Sequence, residues 1–288
     1  MQISIEQISL EADRSFQAYE YNFPDREQPL HAHEEFELAT VSGTGGILYC
    51  GADTSEFFPG DLFLFGRKLP HRFISGSGAA LSRAGVVQFR KDAFGEGFFG
   101  LPENRAVWNL LEKASGGLAF RGRFIDAAKG LDRVISGDAS RRLPHLLLLL
   151  ADMAELNSRG DSEFLSSRNP FPGKRPEDAE RLSKLQDLIE SSYTGKITID
   201  RAAGTLALTG TSFCRYVKKT TGRTFTALVN DYRLTAAAMM LRDSSSDNKV
   251  VAAVAEDVGF GSLSHFNARF RSRYGMTPAE YRAAARRR

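Results

Sequence analysis

The spacing of hydrophobic and polar positions changes along this chain, and the changes mark out its parts. Between residues 36 and 88, short apolar runs at 36–41, 46–49, 55–58, 61–65, 71–74 and 81–88 alternate with Gly, Pro and Asp. Runs recurring every ~8–12 residues, with turn signals at Ser42-Gly43, Pro59-Gly60 and Ser77-Gly78, predict a small barrel or sandwich up to about residue 90. A helical period follows over 102–113, 124–135 and 143–156. Residues 162–176 hold three prolines and a glycine without a sustained period, the composition of a linker. From Glu177 to Tyr281 the period is helical again, with turns expected at 194–196, 220–223, 244–248 and 274–278.

Part of this last region is written twice. Phe213, Val217, Lys218, Gly222 and Thr224 recur 53 residues later as Phe266, Phe270, Arg271, Gly275 and Thr277. Upstream the offset is 52: Ile199, Ala203, Leu206 and Leu208 answer to Val251, Ala255, Val258 and Phe260. Each copy reads as a short amphipathic helix, a tight turn and a second helix ending in basic residues and Gly. That is a helix-turn-helix pattern, and two in tandem suit successive major grooves of DNA.

The periodicity also separates inner from outer faces. In the first copy Thr209 is placed to cap the second helix, and Phe213, Tyr216 and Val217 point inward. Gly210, Thr211, Cys214, Arg215 and Lys218 then face outward, small or basic enough for a major groove, with Arg215 able to bridge guanine O6 and N7. In the second copy Leu263, Phe266 and Phe270 point inward, while Ser264, His265, Asn267, Ala268 and Arg271 face outward. Asn267 suits adenine N6 and N7, and Arg271 and Arg273 suit phosphate. An 18-residue helix over 225–242 would span ~27 Å, enough to set two reading helices toward one DNA turn.

Charge follows the same division. Residues 174–288 carry 20 Lys and Arg against 12 Asp and Glu, a net of +8, and end in Arg286, Arg287 and Arg288. Residues 1–173 carry 18 against 23, a net of −5. A polyanion partner is therefore expected at the C-terminal third and not elsewhere. Cys50 and Cys214, the two cysteines, are too far apart for a disulfide framework or a CxxC metal site. The start of the chain lacks the features of a signal peptide, and the apolar run 146–150 is far short of a membrane span. A cytoplasmic protein is expected.

The segment TGRTFTALVNDYRLTAAAMML, followed by VAEDVGFGSLSHFNARFRSRYGMTPAEYR, resembles the DNA-binding domain of the AraC/XylS family of bacterial transcription regulators. The resemblance covers about the last hundred residues. Gly259-Phe260, Phe266, Phe270, the run Tyr274-Gly275-Met276-Thr277-Pro278 and Tyr281-Arg282 carry it most specifically. Ala207 stands in the first turn where the family often has Gly, and Ala268 where an Arg is common. Residue by residue, the resemblance implies DNA contacts through Thr211, Ser212, Cys214 and Arg215 in the first reading helix. In the second it implies Ser262, Leu263, Ser264, His265 and Asn267. Lys218, Lys219, Arg271 and Arg273 are the phosphate candidates.

A second cluster lies in the N-terminal part. His31, His33, Glu35 and Glu37 alternate and would share one face of a strand. A further strand could bring His71 beside them. With Pro59-Gly60-Asp61 and Pro70-His71, this order of residues resembles the cupin fold, whose enzymes hold a divalent metal on such a set; an N/O site suits Fe, Mn, Ni or Zn. Three uses stay open for His31, His33, Glu37 and His71: hydrogen bonds to a polar effector, a divalent metal that helps hold one, or a structural role. Phe36, Tyr49, Phe63, Phe65, Phe73 and Phe89 could stack on a sugar-like ring or form plain core.

The combined expectation is an α+β protein of two domains. Residues 1–160 would form a cupin-like β-barrel with flanking helices that binds an effector, such as a sugar or related carbon metabolite. Residues 161–176 would link it to an all-α tandem helix-turn-helix domain, 177–288. The function expected is sequence-specific transcription regulation with promoter DNA as partner, and RNA polymerase too for an activator. A homodimer is expected through the helices of the first domain, with Leu146, Leu149 and Leu150 as its stripe. The alternative is a metal-dependent cupin dioxygenase or isomerase with an accessory DNA-binding tail.

Overall fold

The computed structural model describes residues 4–5, 14–23, 29–75, 82–122, 125–166, 176–243 and 249–285. The chain divides into two compact units, with the boundary at residues 174 and 175. The expected turn at 244–248, the Ser77-Gly78 turn, most of the linker and the terminal arginines lie outside the described residues.

The N-terminal unit is built on β1 (Ser4–Ile5), β2 (Phe16–Phe23), β3 (His31–Ala32), β4 (Phe36–Ser42), β5 (Gly46–Cys50), β6 (Asp53–Phe57), β7 (Leu62–Phe65), β8 (His71–Ser75), β9 (Ser82–Phe89), β10 (Leu118–Phe120) and β11 (Glu163–Phe164). They form two sheets, ordered β1-β3-β8-β5-β6 and β11-β10-β7-β4-β9-β2. The pairing of β1 with β3 is parallel, and the other described pairings are antiparallel.

Period-two alternation explains how the six-stranded sheet is covered. Leu38, Leu62, Leu64, Val87 and Phe89 turn to one face, where they pack with residues of three helices. These are α1 (Arg105–Lys113), α2 (Ile125–Ser136) and α3 (Ala139–Ser158). Ala39, Val41, Phe63, Phe65, Ala84 and Val86 turn to the other face and share a core with Leu48, Cys50, Phe57 and Phe73 of the five-stranded sheet. A sheet buried on both faces needs apolar residues at every position, and β7 reads Leu-Phe-Leu-Phe.

Three expectations change here. Leu146, Leu149 and Leu150 are buried in the core under the six-stranded sheet, so this stripe is covered by its own unit and is no dimer surface. Phe36, Tyr49, Phe63, Phe65, Phe73 and Phe89 are all buried core residues, with no ring face left for a sugar. Residues 162–166, expected as the start of the linker, belong to the sheet: β11 pairs with β10, Leu165 is buried, and Ser166 Oγ donates to Asp53 Oδ2 at 2.8 Å.

The C-terminal unit is helical: α4 (Pro176–Ser192), α5 (Ile199–Thr205), α6 (Gly210–Thr221), α7 (Phe225–Arg242), α8 (Val251–Asp257), α9 (Leu263–Tyr274) and α10 (Pro278–Ala285). The repeat read from sequence is the repeat of the fold. Helices α5 and α8 have 7 residues each, and α6 and α9 have 12 each, displaced by the same offsets as the sequence copies. The caps repeat as well. Thr209 accepts from the Ser212 amide and Ser262 from the His265 amide, and each reading helix ends on a left-handed glycine, Gly222 or Gly275. Phe213, Val217, Phe266 and Phe270 are fully buried beneath them. Helix α7 runs between the copies as the central element, buried along most of its length.

Candidate nucleic-acid interface and histidine cluster

The inward anchors leave one face of each reading helix in solvent. On α6, Thr211, Ser212, Cys214, Arg215, Lys218 and Lys219 are all exposed; on α9, Ser264, His265 and Arg271 are exposed and Asn267 is half-buried. Ser262, the α9 cap, is exposed too. Neither helix contains an acidic residue, so its positive N-terminal dipole is not neutralised from within its first turn and can receive phosphate.

Three sequence expectations need correction in this unit. Leu263, placed inward by its spacing from Phe266 and Phe270, is 43% exposed. It is the first residue of α9 and projects past the end of the aromatic core, where period no longer implies contact. Arg273, a phosphate candidate, is turned inward: its Nη1 donates to the Asp231 carbonyl at 3.2 Å and lies 3.6 Å from Asp231 Oδ1. Asp231, on α7, also forms an ion pair with Arg223. Tyr216, expected in the core, is half-buried with the Arg181 guanidinium over its ring at 5.7 Å.

The turns differ in one residue. Ala207 and Gly259 both adopt positive φ, 52° and 86°. At Gly259 a Cβ would stand 2.6 Å from the Tyr193 carbonyl oxygen and 2.7 Å from that of Thr194, so only glycine fits. Ala207 holds the same kind of conformation with its Cβ in place, at the usual cost of a left-handed non-glycine residue.

In the N-terminal unit the structure brings together His31, His33, Glu37 and His71, with one ligand atom from each within 4.8 Å of the others. His31 and His71 are register partners on β3 and β8 of one sheet, and Glu37 lies on β4 of the other. The chain crosses between sheets at residues 33–35, which breaks the single strand expected from the alternation. Glu35 accordingly stays outside the cluster, although it is buried.

The hydrogen bonds of the three imidazoles decide which ring nitrogen each presents to the cluster. Nδ1 of His31, His33 and His71 faces the backbone carbonyls of Pro29, Glu35 and Leu69 at 3.2, 3.1 and 2.9 Å. A carbonyl only accepts, so each Nδ1 carries a proton and Nε2 is the nitrogen each ring turns to the cluster, a lone pair whenever the ring is neutral. Those nitrogens meet a carboxylate: His33 Nε2 is 2.9 Å from Glu37 Oε2, and His71 Nε2 is 3.3 Å from Glu37 Oε1. The His71 contact lacks hydrogen-bond geometry, leaving that buried nitrogen without a hydrogen-bond partner. Acceptor facing acceptor is repulsive unless a proton or a cation lies between.

The electrostatics agree. Burial by itself would raise the Glu37 pKa, but the neighbouring imidazoles of His71 and His33 outweigh it and hold the carboxyl well below its usual range. His31 is pushed down to about 3, by burial first and then by repulsion from His71. A ring that resists protonation beside a carboxylate that resists neutralisation is a donor set for a divalent cation, and the carbonyls on Nδ1 are the outer contacts such a set requires.

Sequence reading missed two members of this site. Gln88 Nε2 donates to Glu37 Oε2 at 2.8 Å, and Tyr19 Oη donates to Gln88 Oε1 at 3.3 Å, which fixes the orientation of the amide. The signal was present for Gln88, since it follows Ala84 and Val86 on the inward phase of β9, where a polar residue needs a partner. A separate cleft of about 650 Å3, lined by residues including Glu34, Arg67, Arg90, Lys91, Phe99 and Trp108, is large enough for a small molecule.

Residues 202–284 match the family model described as a helix-turn-helix domain. This segment is a helix-turn-helix domain. The match supports the AraC/XylS resemblance carried by the same residues, and so do similar proteins. The chain is 31% identical over 102 residues to the uncharacterized HTH-type transcriptional regulator YdeC of Bacillus subtilis (strain 168), covering 35% of this chain and 34% of that one. It is 29% identical over 140 residues to the HTH-type transcriptional regulator MtrA of Neisseria gonorrhoeae, covering 49% and 44%. The matched stretch thus spans less than half the length of each of these curated relatives. Among solved structures, ToxT from Vibrio cholerae O395, bound to (E)-4-(8-methylnaphthalen-1-yl)but-3-enoic acid, is 15% identical with a TM-score of 0.39 over 94% of this chain and 100% of that one. At that distance the likeness carries no argument about this chain's ligand. The helix-turn-helix domain contains both reading helices and the whole of α7.

Proposed function

We propose that this chain is a sequence-specific, DNA-binding transcription regulator that acts in the cytoplasm as a homodimer and answers to a small-molecule effector. The observation that carries the reading is the pair of capped reading helices, α6 and α9, with exposed polar and basic faces that contain no acidic residue. In this reading Thr211, Ser212, Cys214 and Arg215 meet base edges in one groove, and Ser262, Ser264, His265 and Asn267 in the next. Lys218 and Arg271 hold phosphates. An activator would in addition contact RNA polymerase.

The N-terminal unit is the effector unit, and its two sheets with a shared core are read as a cupin-like barrel. What supports a cation at its centre is the convergence of donor atoms: Nε2 of His31, His33 and His71 and an oxygen of Glu37 would hold a divalent transition metal. Bound there, such an ion supplies a fixed positive charge to which a polar effector can add. The close packing of the four side chains favours an ion over a sugar ring between them. Gln88 and Tyr19 hold the carboxylate, and Trp108, the single tryptophan of the sequence, reports by its fluorescence on any effector entering the cleft.

Selection of the full chain against a random DNA duplex library tests the reading. A bipartite site with two blocks of preferred bases about one helical turn apart is expected. Binding that is indifferent to sequence overturns it.

A further inference from the structure

Most of the lining of the cleft of about 650 Å3 comes from the stretch that follows β9. Successive turns fold this stretch: the amides of Ala93, Gly95 and Phe98 donate to the carbonyls of Arg90, Asp92 and Gly95. Gly95 and Gly97 have φ of 103° and 81°, so the backbone on both sides of Glu96 is one that glycine holds without strain and other residues do not. Phe99, buried, and Trp108 of α1, half-buried, supply the apolar part of the cleft, and the rest of the lining is mostly charged.

These charges balance, three cations against three carboxylates, but they do not all pair. Glu34 is taken up by Arg67, whose Nη2 lies 3.1 Å from its Oε2, and by Lys68, whose Nζ lies 2.9 Å from its Oε1. Arg90 Nε lies 3.5 Å from Asp92 Oδ1. Two charges remain, one of each sign. Among the described residues the Lys91 ammonium meets no carboxylate; it lies over the Trp108 ring, 4.7 Å from the centroid. The Glu96 carboxylate meets no cation among them. A ligand entering the cleft removes water from both groups, and a neutral or singly charged molecule leaves at least one of them unmatched. A small molecule carrying both charges matches both, and an α-amino acid carries them on one carbon beside a side chain that can lie on the aromatic rings.

We infer that this cleft binds a zwitterionic α-amino acid with an apolar side chain. Lys91 takes the carboxylate, Glu96 takes the ammonium, and the side chain lies against Trp108 and Phe99. The Lys91 ammonium turns from the indole to the carboxylate as the ligand enters, exchanging an exposed cation–π contact for a charge-assisted hydrogen bond. The inference rests on the effector reading above and gives the effector a site apart from the histidine cluster.

Calorimetry of the full chain with L-phenylalanine tests this, with Trp108 emission recorded alongside to locate the ligand. Saturable binding with a change in emission is expected. Phenethylamine and 3-phenylpropionate, which keep the ring and one charge each, should bind about tenfold more weakly or worse. Glu96→Gln should weaken phenylalanine about tenfold and leave 3-phenylpropionate unchanged, whereas Lys91→Met should weaken phenylalanine as much and leave phenethylamine unchanged. Both side chains are exposed, so neither substitution threatens the fold. Variants that weaken all three ligands alike overturn the assigned roles. No saturation by phenylalanine, leucine or methionine up to about 10 mM overturns the site, as does binding that leaves Trp108 emission unchanged. 3-Phenylpropionate binding as tightly as phenylalanine overturns the zwitterion and makes the cleft an organic-anion site. Phenylalanine that binds as expected but leaves affinity for the selected DNA duplex unchanged supports the site and removes the effector role from it. None of these results bears on the DNA-reading faces, which are judged by sequence selection.

Discussion

Arg273, near the end of the second reading helix, is bound to Asp231 in the middle of the helix that joins the two repeats. Its Nη1 donates to the Asp231 carbonyl at 3.2 Å, and the Asp231 carboxylate is shared with Arg223, which follows the first reading helix. One buried acid thus ties the ends of both reading helices to α7. In the proposed function, two grooves on one face of DNA are read together only if the helices keep a fixed separation, and this contact would keep it.

Asp231→Ala should therefore act on stability and on coupling between the half-sites. Removing one partner of a buried ion pair leaves uncompensated charge and costs on the order of 3 kcal/mol. Chemical denaturation measures that cost. Affinity for a bipartite site should fall more than affinity for either half alone; an equal loss on all three DNAs would show that Asp231 contributes to folding and not to spacing.

Arg215 and Lys218 occupy the same exposed face but should behave differently. If Arg215 bridges a guanine, Arg215→Ala costs ~1–3 kcal/mol on the preferred site and much less on random DNA. Lys218→Ala, as a phosphate contact, should weaken all sequences alike and reduce the salt dependence by about one counterion. Binding titrations at several salt concentrations separate the two; identical losses on specific and random DNA for Arg215→Ala would remove its base-reading role.

The two turns offer a matched pair of substitutions. Ala207→Gly relieves a left-handed alanine and should stabilise the chain by up to ~1 kcal/mol, less the entropy that glycine adds to the unfolded state. Gly259→Ala drives a Cβ into the Tyr193 and Thr194 carbonyls and should destabilise by more than Ala207→Gly gains. Thermal melts of the two variants test the opposite signs. A neutral Gly259→Ala would mean that the α4–α5 connection yields to it.

Much of the helical C-terminal unit was legible in the sequence because its signals are local. Helical period, a capping Thr or Ser and a terminal glycine all act within a few residues, and the repeat placed both copies independently. The features that were not legible depend on distant partners. Period shows that α3 has an apolar stripe at Leu146, Leu149 and Leu150 but not that the unit's own sheet covers it. Arg273 looks like any basic residue at a helix end until Asp231, 42 residues earlier, is seen beside it. His31, His33, Glu37 and His71 were legible as a set, whereas the crossing between sheets that excludes Glu35 was not.

The histidine cluster makes the last prediction, in which metal content and pH are linked. Protein isolated without chelator should carry a divalent transition metal near one per chain, and His33→Ala should lose it, both read by elemental analysis. In the metal-free protein, stability should fall as pH drops below 7. His31 has a folded pKa of about 3 against 6.5 unfolded, so below 6.5 the unfolded chain takes up a proton that the folded ring refuses. Glu37, held well below its usual range, adds a loss of the same sign at lower pH, as the unfolded carboxyl protonates first. Metal affinity falls over the same range because imidazole must be neutral to ligate. Thermal melts of metal-free wild type and His31→Gln between pH 7.5 and 5 test the origin of the slope, and the variant should show the flatter profile. Equal slopes would remove His31 as its source, and a wild type purified without metal that binds none on addition would return the cluster to a purely structural role.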